Sequence, residues 1–504
     1  MLSNVFKYLL VLLGVVLVAR LIPMFIVPFF DPTEARYGEI ARIMAETGDW
    51  ITPFYDYGVP FWGKPPLSFW AQAAGFKIFG VYEFAPRIPA WLVTLATVGL
   101  IFYFLKVIAS LRTAILGSLI YASTLLVFAL AGGVLTDPYL NLAITLSLVA
   151  FALTVQKQQR YWGYLFFIGL VLGLLAKGPI AVVLIAGPAG IWLLLGTHRW
   201  RSLKYFPWFT GILLTLVLTL PWYIAAELKT PGFIEYFIVG EHFYRFVDPG
   251  WGGDLYGSAH KYPKGTIWVQ WLVASLPWGV IAIALLFKHM AVRESRLRLW
   301  QQLRDDNHSF YVLWAIFPMC FFSLAGNVLW TYALPALPAL AVLLALYFTR
   351  DPGEHSTNIL RWLSLAALVA PVFLIAGTVY VVQRPELLPT EKYLVNQFRS
   401  VASPEDRLIF INDRSFSARY YSQGKAVLLA ADELQDLLRT NAGKILYLAI
   451  PGKQVEELRT AISRPMRSLY KSNKYQLFEL AVNESSAVDK PANDAVQGEQ
   501  SEKQ

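Results

Sequence analysis

Apolar segments of membrane-spanning length recur along this chain and restrict its fold more than any other feature. A helix of about 20 apolar residues crosses the hydrocarbon core of a bilayer. Eleven such segments are predicted, near residues 5–29, 88–105, 113–133, 138–155, 161–176, 179–197, 206–226, 266–287, 309–325, 328–349 and 360–382. They lack the alternating pattern of a transmembrane barrel. We therefore predict an all-α polytopic membrane protein with about 11 or more transmembrane helices.

The composition agrees with this fold class. Of the 504 residues, 56% are hydrophobic and only 15% are charged, which is less charge than a soluble protein of this size carries. The net charge of +9 does not indicate nucleic-acid binding, because the basic residues lie in short loops between the apolar segments. Cys320 is the only cysteine, so a disulfide within the chain is excluded.

Basic residues occupy alternate loops, and this alternation predicts the orientation of the chain. Lys106, Arg199 and Arg296 lie in three of the loops that the positive-inside rule assigns to the cytoplasm. The loops 31–87 and 227–265 then lie on the opposite, outer side, together with everything beyond the last span.

The first outer loop, residues 31–87, is too regular to be a simple connector. Residues 33–46 have helical periodicity, with Tyr37 and Ile40 on one apolar stripe, and residues 67–79 form a second aromatic, amphipathic stretch. Both predict juxtamembrane helices that lie in the outer interface, and an ordinary solvated loop is the alternative.

Beyond the last span, short strand-like runs alternate with helical patterns. Strands are predicted over residues 407–412, 426–430 and 444–450, with two more in MRSLYKS and YQLFELA. This pattern predicts a small α/β domain over residues 383–483, after a transmembrane domain over residues 1–382. The polar, acidic tail 484–504 is predicted to be disordered.

Two carboxylates, Asp31 and Glu34, follow the first span directly. A carboxylate at a membrane surface suits a general base for an acceptor hydroxyl, and it also suits a metal ion. The alternative is helix capping, with Asp31 at the N-cap, Pro32 at the first helical position and Glu34 at the third. The residue types alone leave both interpretations open.

Cations on the outer side need an explanation, because the positive-inside rule disfavours them. Lys64 is held in GKPP, Lys177 follows the fifth span in AKGP, and Arg245 lies in GEHFYRF. Binding the phosphate of an anionic lipid would explain all three, and snorkelling towards outer headgroups is the alternative. Tyr332 in TYALPALP would hydrogen-bond the same phosphate or act as a buried aromatic anchor.

The second outer loop also offers ligands for a divalent metal. The candidate ligands are His242, Glu241 and His260, with Asp254 as an alternative carboxylate. Their separation matches no compact zinc motif.

These motifs, taken in order, resemble a known family. TEARYGEIARIMAETGDWITP, FWGKPPLSFW, LAKGP, GEHFYRF and TYALPALP occur in the order found in polyprenyl-phosphate-dependent glycosyltransferases of the GT-C superfamily. The resemblance covers nearly the whole chain. It is closest to the bacterial aminoarabinose transferase branch, which modifies lipid A, and the protein O-mannosyltransferases are more distant.

The resemblance implies an enzyme of the bacterial inner membrane, with its active site and C-terminal domain on the periplasmic side. The family's catalytic DE-x-RY motif reads TEARY here, with Thr33 at the aspartate position, so the catalytic role falls to Glu34 or to Asp31. The family's EKP motif has Gly63 in place of its glutamate. That glutamate is a plausible metal ligand, so the divalent metal cofactor is in question.

The resemblance also implies roles for individual side chains. Donor-phosphate binding is implied for Lys64, Arg245, Lys177 and Tyr332, and substrate binding for Arg36, Tyr37, His242 and Trp62. The expected reaction transfers a sugar, with an amino sugar among the candidates, from undecaprenyl phosphate to an acceptor such as lipid A with inversion. The alternatives are a protein O-glycosyltransferase and a lipid-linked sugar transporter or flippase. Transporters usually carry ionisable residues inside their spans, whereas the charges here lie in loops.

Overall fold

A computed structural model of the chain describes residues 4–248, 251–257, 262–350, 357–441, 443–462 and 464–481. The chain divides into two compact units, Met1–Gln383 and Arg384–Gln504. Each unit has its own hydrophobic core.

The first unit is helical. Its helices are α1 (Asn4–Ala19), α2 (Leu21–Ile26), α3 (Thr33–Thr47), α4 (Leu67–Phe79), α5 (Arg87–Ile108), α6 (Leu111–Ala122), α7 (Leu125–Leu130), α8 (Asp137–Lys157), α9 (Arg160–Lys177), α10 (Ile180–Leu194), α11 (Trp208–Lys229), α12 (Arg245–Val247), α13 (Thr266–Ala274), α14 (Trp278–Ala291), α15 (Arg293–Arg304), α16 (Asp306–Phe322), α17 (Leu337–Thr349) and α18 (Thr357–Val382). A hairpin of β1 (Phe54–Asp56) and β2 (Val59–Pro60) lies between α3 and α4. A π-helix, Glu235–Tyr244, precedes α12, and a 3-10 helix, Trp330–Ala336, precedes α17.

A multi-pass membrane architecture is confirmed, but the predicted count of eleven spans is not. Among the described residues, seven helical stretches are long and apolar enough to cross a bilayer, and the pair α13 and α14, bent by 110°, makes up to eight. The apolar helices α6 and α10 are shorter. At 1.5 Å per residue, the 15 residues of α10 extend only about 22 Å, less than the hydrocarbon thickness.

Helix α8 lies at the centre of the first unit. In its apolar window 83% of the residues are buried, against 17% for α18. Residues around the whole circumference of α8 are buried, as expected for a helix surrounded by others, and it packs against α5 and α9. Helix α18 leaves most of its apolar surface uncovered, which is typical of a lipid-facing helix.

Both helices predicted in the first outer loop are present, as α3 and α4. Tyr37 and Ile40 are buried as their stripe predicts, and the Tyr37 ring meets the Phe69 ring of α4 edge to face at 5.5 Å. The sequence analysis did not anticipate that Glu39 and Arg42 of α3 are also buried, paired through two hydrogen bonds of 2.7 and 2.9 Å. The location of α3 and α4 in the membrane interface stays a prediction.

A C-terminal sheet domain is confirmed. Its elements are α19 (Lys392–Val401), β3 (Leu408–Ile411), α20 (Phe416–Tyr421), β4 (Val427–Leu429), α21 (Leu434–Thr440), β5 (Ile445–Pro451), α22 (Val455–Ile462), β6 (Met466–Lys471) and β7 (Tyr475–Ala481). The strand order is β4-β3-β5-β7-β6, with β3 parallel to β4 and β5, and β7 antiparallel to β5 and β6.

The sheet of the C-terminal domain is covered on both faces. Ile409 and Ile411 pack into one core, while Leu408 and Phe410 pack into the other, as the two-residue period of a strand requires. The predicted tail 484–504 lies outside the described residues.

Candidate active site

Lys64 extends from the rigid segment before α4 towards the second outer loop. Two prolines separate it from the helix, which begins at Leu67. The Lys64 ammonium lies 3.0 Å from a carboxylate oxygen of Glu241, and only 16% of the Lys64 side chain is exposed. A residue from the first outer loop is thereby joined to the π-helix of the second.

The π-helix and α12 place Glu241 and Arg245 on the same side, four residues apart. Arg245 Nη1 lies 2.9 Å from both oxygens of Glu241, and Arg245 Nη2 lies 3.6 Å from Asp254. Burial alone would raise the pKa of Glu241, but the charges of Lys64 and Arg245 outweigh burial and lower the pKa to about 2. Glu241 is therefore a carboxylate at any physiological pH, bound by two cations.

Lys177 forms a second, half-buried ion pair in the same region. Its ammonium lies 2.8 Å from Asp137 and 5.2 Å from the centre of the Tyr332 ring. The Lys177 carbonyl oxygen lies 3.1 Å from His242 Nε2, which links the end of α9 to the π-helix.

The structure thus brings together all four side chains predicted to bind the donor phosphate. Lys64 and Arg245 share the carboxylate of Glu241, and Lys177 lies beside Tyr332. His242, the residue after Glu241, connects the two groups through the Lys177 carbonyl oxygen. Three cations are matched by three carboxylates, those of Glu241, Asp254 and Asp137.

The predicted metal ligands do not form a site among the residues that the structure describes. His242 Nδ1 and Nε2 face the backbone carbonyl oxygens of Phe237 and Lys177, at 2.7 and 3.1 Å. Both oxygens of Glu241 are bound by Lys64 and Arg245. No group of three His, Cys, Asp or Glu residues suited to a metal occurs in the described ranges. His260 lies outside them.

Glu34 is held by a residue that the sequence analysis missed. Arg87, at the start of α5, binds both of its oxygens through Nε and Nη2, each at 2.9 Å. Arg87 is buried and also donates to the backbone carbonyl oxygens of Met24 and Pro28, at 3.0 and 3.2 Å. Glu34 therefore ties α3 to the end of the first span and to α5.

Asp31 is half-buried, immediately before α3. The capping alternative required Asp31 as the N-cap, but α3 begins at Thr33 with Pro32 at the N-cap and without a side-chain hydrogen bond there. Asp31 is therefore not the N-cap residue of α3.

Three of the residues predicted to bind substrate line an aromatic wall between the two outer loops. The Arg36 guanidinium lies over the rings of Tyr37 and Phe61, at 5.3 and 5.9 Å, and it donates to the carbonyl oxygen of Tyr256. The Trp62 amide donates to the Tyr256 hydroxyl at 3.1 Å. The fourth, His242, is half-buried, and its ring nitrogens face the backbone carbonyl oxygens of Phe237 and Lys177 instead.

The sequence contained a signal for Asp137 that the sequence analysis did not use. Asp137 begins α8 and Lys177 ends α9, and antiparallel neighbours joined by a short turn bring those ends together. Arg87 is different, because its partner Glu34 is 53 residues away and no periodicity connects them.

Comparisons with known proteins show which sequences and folds this chain resembles. Residues 11–237 match the family described as dolichyl-phosphate-mannose-protein mannosyltransferase. The undecaprenyl phosphate-alpha-4-amino-4-deoxy-L-arabinose arabinosyl transferase of Edwardsiella ictaluri is 31% identical over 335 residues, which are 65% of this chain and 56% of that protein. Its counterpart from Aeromonas hydrophila is 30% identical over 67% of this chain and 60% of that protein. The matches therefore span less than two thirds of these relatives.

The fold has a close match among solved structures. ArnT from Cupriavidus metallidurans bound to undecaprenyl phosphate superimposes with a TM-score of 0.74 at 18% identity, over 96% of this chain and 99% of that one. The archaeal oligosaccharyltransferase AglB from Archaeoglobus fulgidus reaches 0.50 at 12% identity, over 90% and 70%. The resemblance inferred from the motifs is confirmed: the chain is similar in sequence to the aminoarabinose arabinosyl transferases, and it shares the fold of ArnT.

Proposed function

We propose that this protein is an integral membrane glycosyltransferase. It moves a sugar from undecaprenyl phosphate to a periplasmic-side acceptor such as lipid A, and it inverts the anomeric carbon. The observation that carries the proposal is the convergence of Lys64, Arg245, Lys177 and Tyr332 from four separate segments. Three half-buried cations on the side that the positive-inside rule disfavours are explained if they bind an anion.

In the proposed reaction the bond between the anomeric carbon and the phosphate oxygen breaks, and the acceptor oxygen bonds to that carbon from the opposite face. Undecaprenyl phosphate leaves as an anion. Lys64 and Arg245 stabilise the charge that develops on its oxygens, and Lys177 and Tyr332 contact the same group from the other side. Preorganised cations in a site that excludes water are effective because they need no rearrangement during the reaction.

The carboxylates take different roles in this proposal. Both oxygens of Glu34 are bound by Arg87, so Glu34 suits an orienting role better than proton abstraction. Asp31 then acts as the general base for an acceptor hydroxyl, a contribution of about 10²–10⁴-fold. An acceptor that is already ionised, such as a lipid phosphate, makes this base less important.

The proposed orientation follows the distribution of basic loops. Eleven crossings with the N-terminus inside put α3, α4, the π-helix and the C-terminal domain in the periplasm. The donor's lipid tail then enters from the side while its headgroup stays in the outer cavity. The divalent metal suggested by the sequence stays a prediction, because the candidate ligand His260 lies outside the described residues.

Reconstitution tests the proposal. The purified protein in phospholipid vesicles is supplied with an undecaprenyl-phosphate-linked aminoarabinose and lipid A, and the product is identified by mass spectrometry. We expect lipid A to gain the mass of one sugar residue. Transport of the donor across the vesicle membrane without any transfer would instead support the flippase alternative.

A further inference from the structure

Glu241 occupies the place between two cations where the proposed function puts the donor phosphate. One oxygen lies 3.0 Å from the Lys64 ammonium, and Arg245 Nη1 lies 2.9 Å from both. A carboxylate and a phosphate diester both accept hydrogen bonds from an arginine and a lysine through two anionic oxygens. Glu241 therefore makes the contacts that the donor phosphate would make.

The charges of the site are balanced without a ligand. Lys64, Arg245 and Lys177 are paired with Glu241, Asp254 and Asp137. The Glu241 side chain is only 6% exposed, so its ion pairs are poorly screened by water. An incoming phosphate that binds the same N–H groups of Lys64 and Arg245 must displace the carboxylate that they share.

Tyr236 gives Glu241 a hydrogen-bond partner other than the two cations. The Tyr236 hydroxyl donates to Glu241 Oε1 at 3.4 Å and accepts a hydrogen bond from the Leu255 amide at 3.2 Å. The two residues are five apart in a π-helix, whose wider turn puts them on one side. Burial, and next the charge of Glu241, raises the pKa of Tyr236 well above its usual range, so the hydroxyl keeps a proton to donate.

We propose that Glu241 is an internal counter-ion that the donor phosphate displaces from Lys64 and Arg245, and that Tyr236 receives the displaced carboxylate. This inference rests on the proposed function, because it assumes that those cations bind the donor. Glu241 is a positioning residue in this scheme. It keeps the two cations close together while the site is empty, and it lowers the affinity for the phosphate product after transfer.

The test measures the affinity of the purified full-length protein in nanodiscs for undecaprenyl phosphate, with uncharged undecaprenol as the control ligand. We expect Glu241→Gln to lower the Kd for undecaprenyl phosphate about tenfold, because the competing charge is removed. Tyr236→Phe is expected to raise the Kd about tenfold, because the displaced carboxylate loses its partner. The double variant should bind like Glu241→Gln alone.

Unchanged or weaker binding by Glu241→Gln would overturn the inference and would make Glu241 a fixed part of the phosphate site. Tyr236→Phe, which deletes one hydroxyl, gives an independent answer if Glu241→Gln does not fold, and unchanged binding by it would also count against displacement. Failure of the proposed function has a separate signature. The unsubstituted protein would then bind undecaprenyl phosphate no better than undecaprenol.

Discussion

At the scale of single residues, the outer site is a set of buried ion pairs whose members come from distant parts of the sequence. Lys64 and Glu241 are separated by 177 residues, and Lys177 and Asp137 by 40. The sequence pointed to each cation because cations are rare on the outer side. It could not assign the partners, because ion pairing across loops depends on tertiary structure and leaves no periodic signal.

The two carboxylates after the first span should behave differently when each is neutralised. We expect Asp31→Asn to reduce transfer to a hydroxyl acceptor by about 10²-fold or more, and transfer to an ionised acceptor much less, because the proposed base is removed. Glu34→Gln should lower both activity and stability, because Arg87 stays buried with a weaker partner. Turnover and thermal inactivation of the two purified variants are compared. Equal loss of transfer to a hydroxyl acceptor and to an ionised acceptor by Asp31→Asn would contradict this division of roles.

The ion pairs of Glu241 predict a specific dependence of stability on pH. The pKa of Glu241 falls from an ordinary 4.5 to about 2 in the folded protein, so its ionisation stabilises the fold above pH 4.5. That contribution, a few kcal/mol by linkage, should disappear as the pH falls from 4.5 towards 2. The difference in unfolding midpoint between the unsubstituted protein and Glu241→Gln measures it. A difference that stays constant down to pH 2 would refute the assignment.

At the scale of secondary structure, periodicity predicted elements well where they were regular. Helix α4 spans residues 67–79 as predicted, and the five strands of the C-terminal sheet coincide with the predicted runs. The breaks inside apolar segments were missed. Helix α6 ends where Ser123 and Thr124 donate to the carbonyl oxygens of Leu119 and Ile120, at 2.6 and 2.7 Å. Such local side-chain hydrogen bonds compete with the backbone hydrogen bonds of the helix, and a hydropathy profile does not detect them.

The ion pair of Glu39 and Arg42 is expected to stabilise the packing of α3. We expect Glu39→Gln to destabilise the protein by roughly 3 kcal/mol, because it leaves Arg42, whose side chain is 5% exposed, without its buried partner. The matched control is Glu46→Gln on the same arginine. The Glu46 side chain is 53% exposed, so the expected cost is about 0.5 kcal/mol or less. Denaturant titration of both variants compares them, and equal effects would contradict the account.

At the scale of the whole molecule, hydropathy predicted a membrane protein, and the order of the motifs predicted its resemblance to the aminoarabinose transferases. Hydropathy did not predict the number of crossings, since α6 and α10 are shorter than the bilayer is thick and α13 and α14 are bent by 110° relative to each other. Length and composition cannot say whether such helices cross or only enter the membrane.

Orientation can be measured directly. In a chain with Cys320 replaced by serine, we expect a cysteine at Lys77 to react with a membrane-impermeant thiol reagent in intact spheroplasts. A cysteine at Arg296 should react only after lysis, because the basic loop is expected in the cytoplasm. Both side chains are exposed, so access to the side chain does not limit labelling. The reverse pattern would put the candidate site on the wrong side of the membrane.

The central claim is that the outer cluster around Lys64 transfers a lipid-linked sugar, and mass spectrometry of outer-membrane lipids tests it most directly. Deletion cells are complemented with the unsubstituted gene, with Lys64→Ala, or with Lys77→Ala, an exposed lysine on the same loop, as the matched control. The account predicts a sugar-sized mass on a lipid acceptor with the unsubstituted gene and Lys77→Ala, and its absence with Lys64→Ala. Identical lipids in all strains, including the deletion, would contradict it.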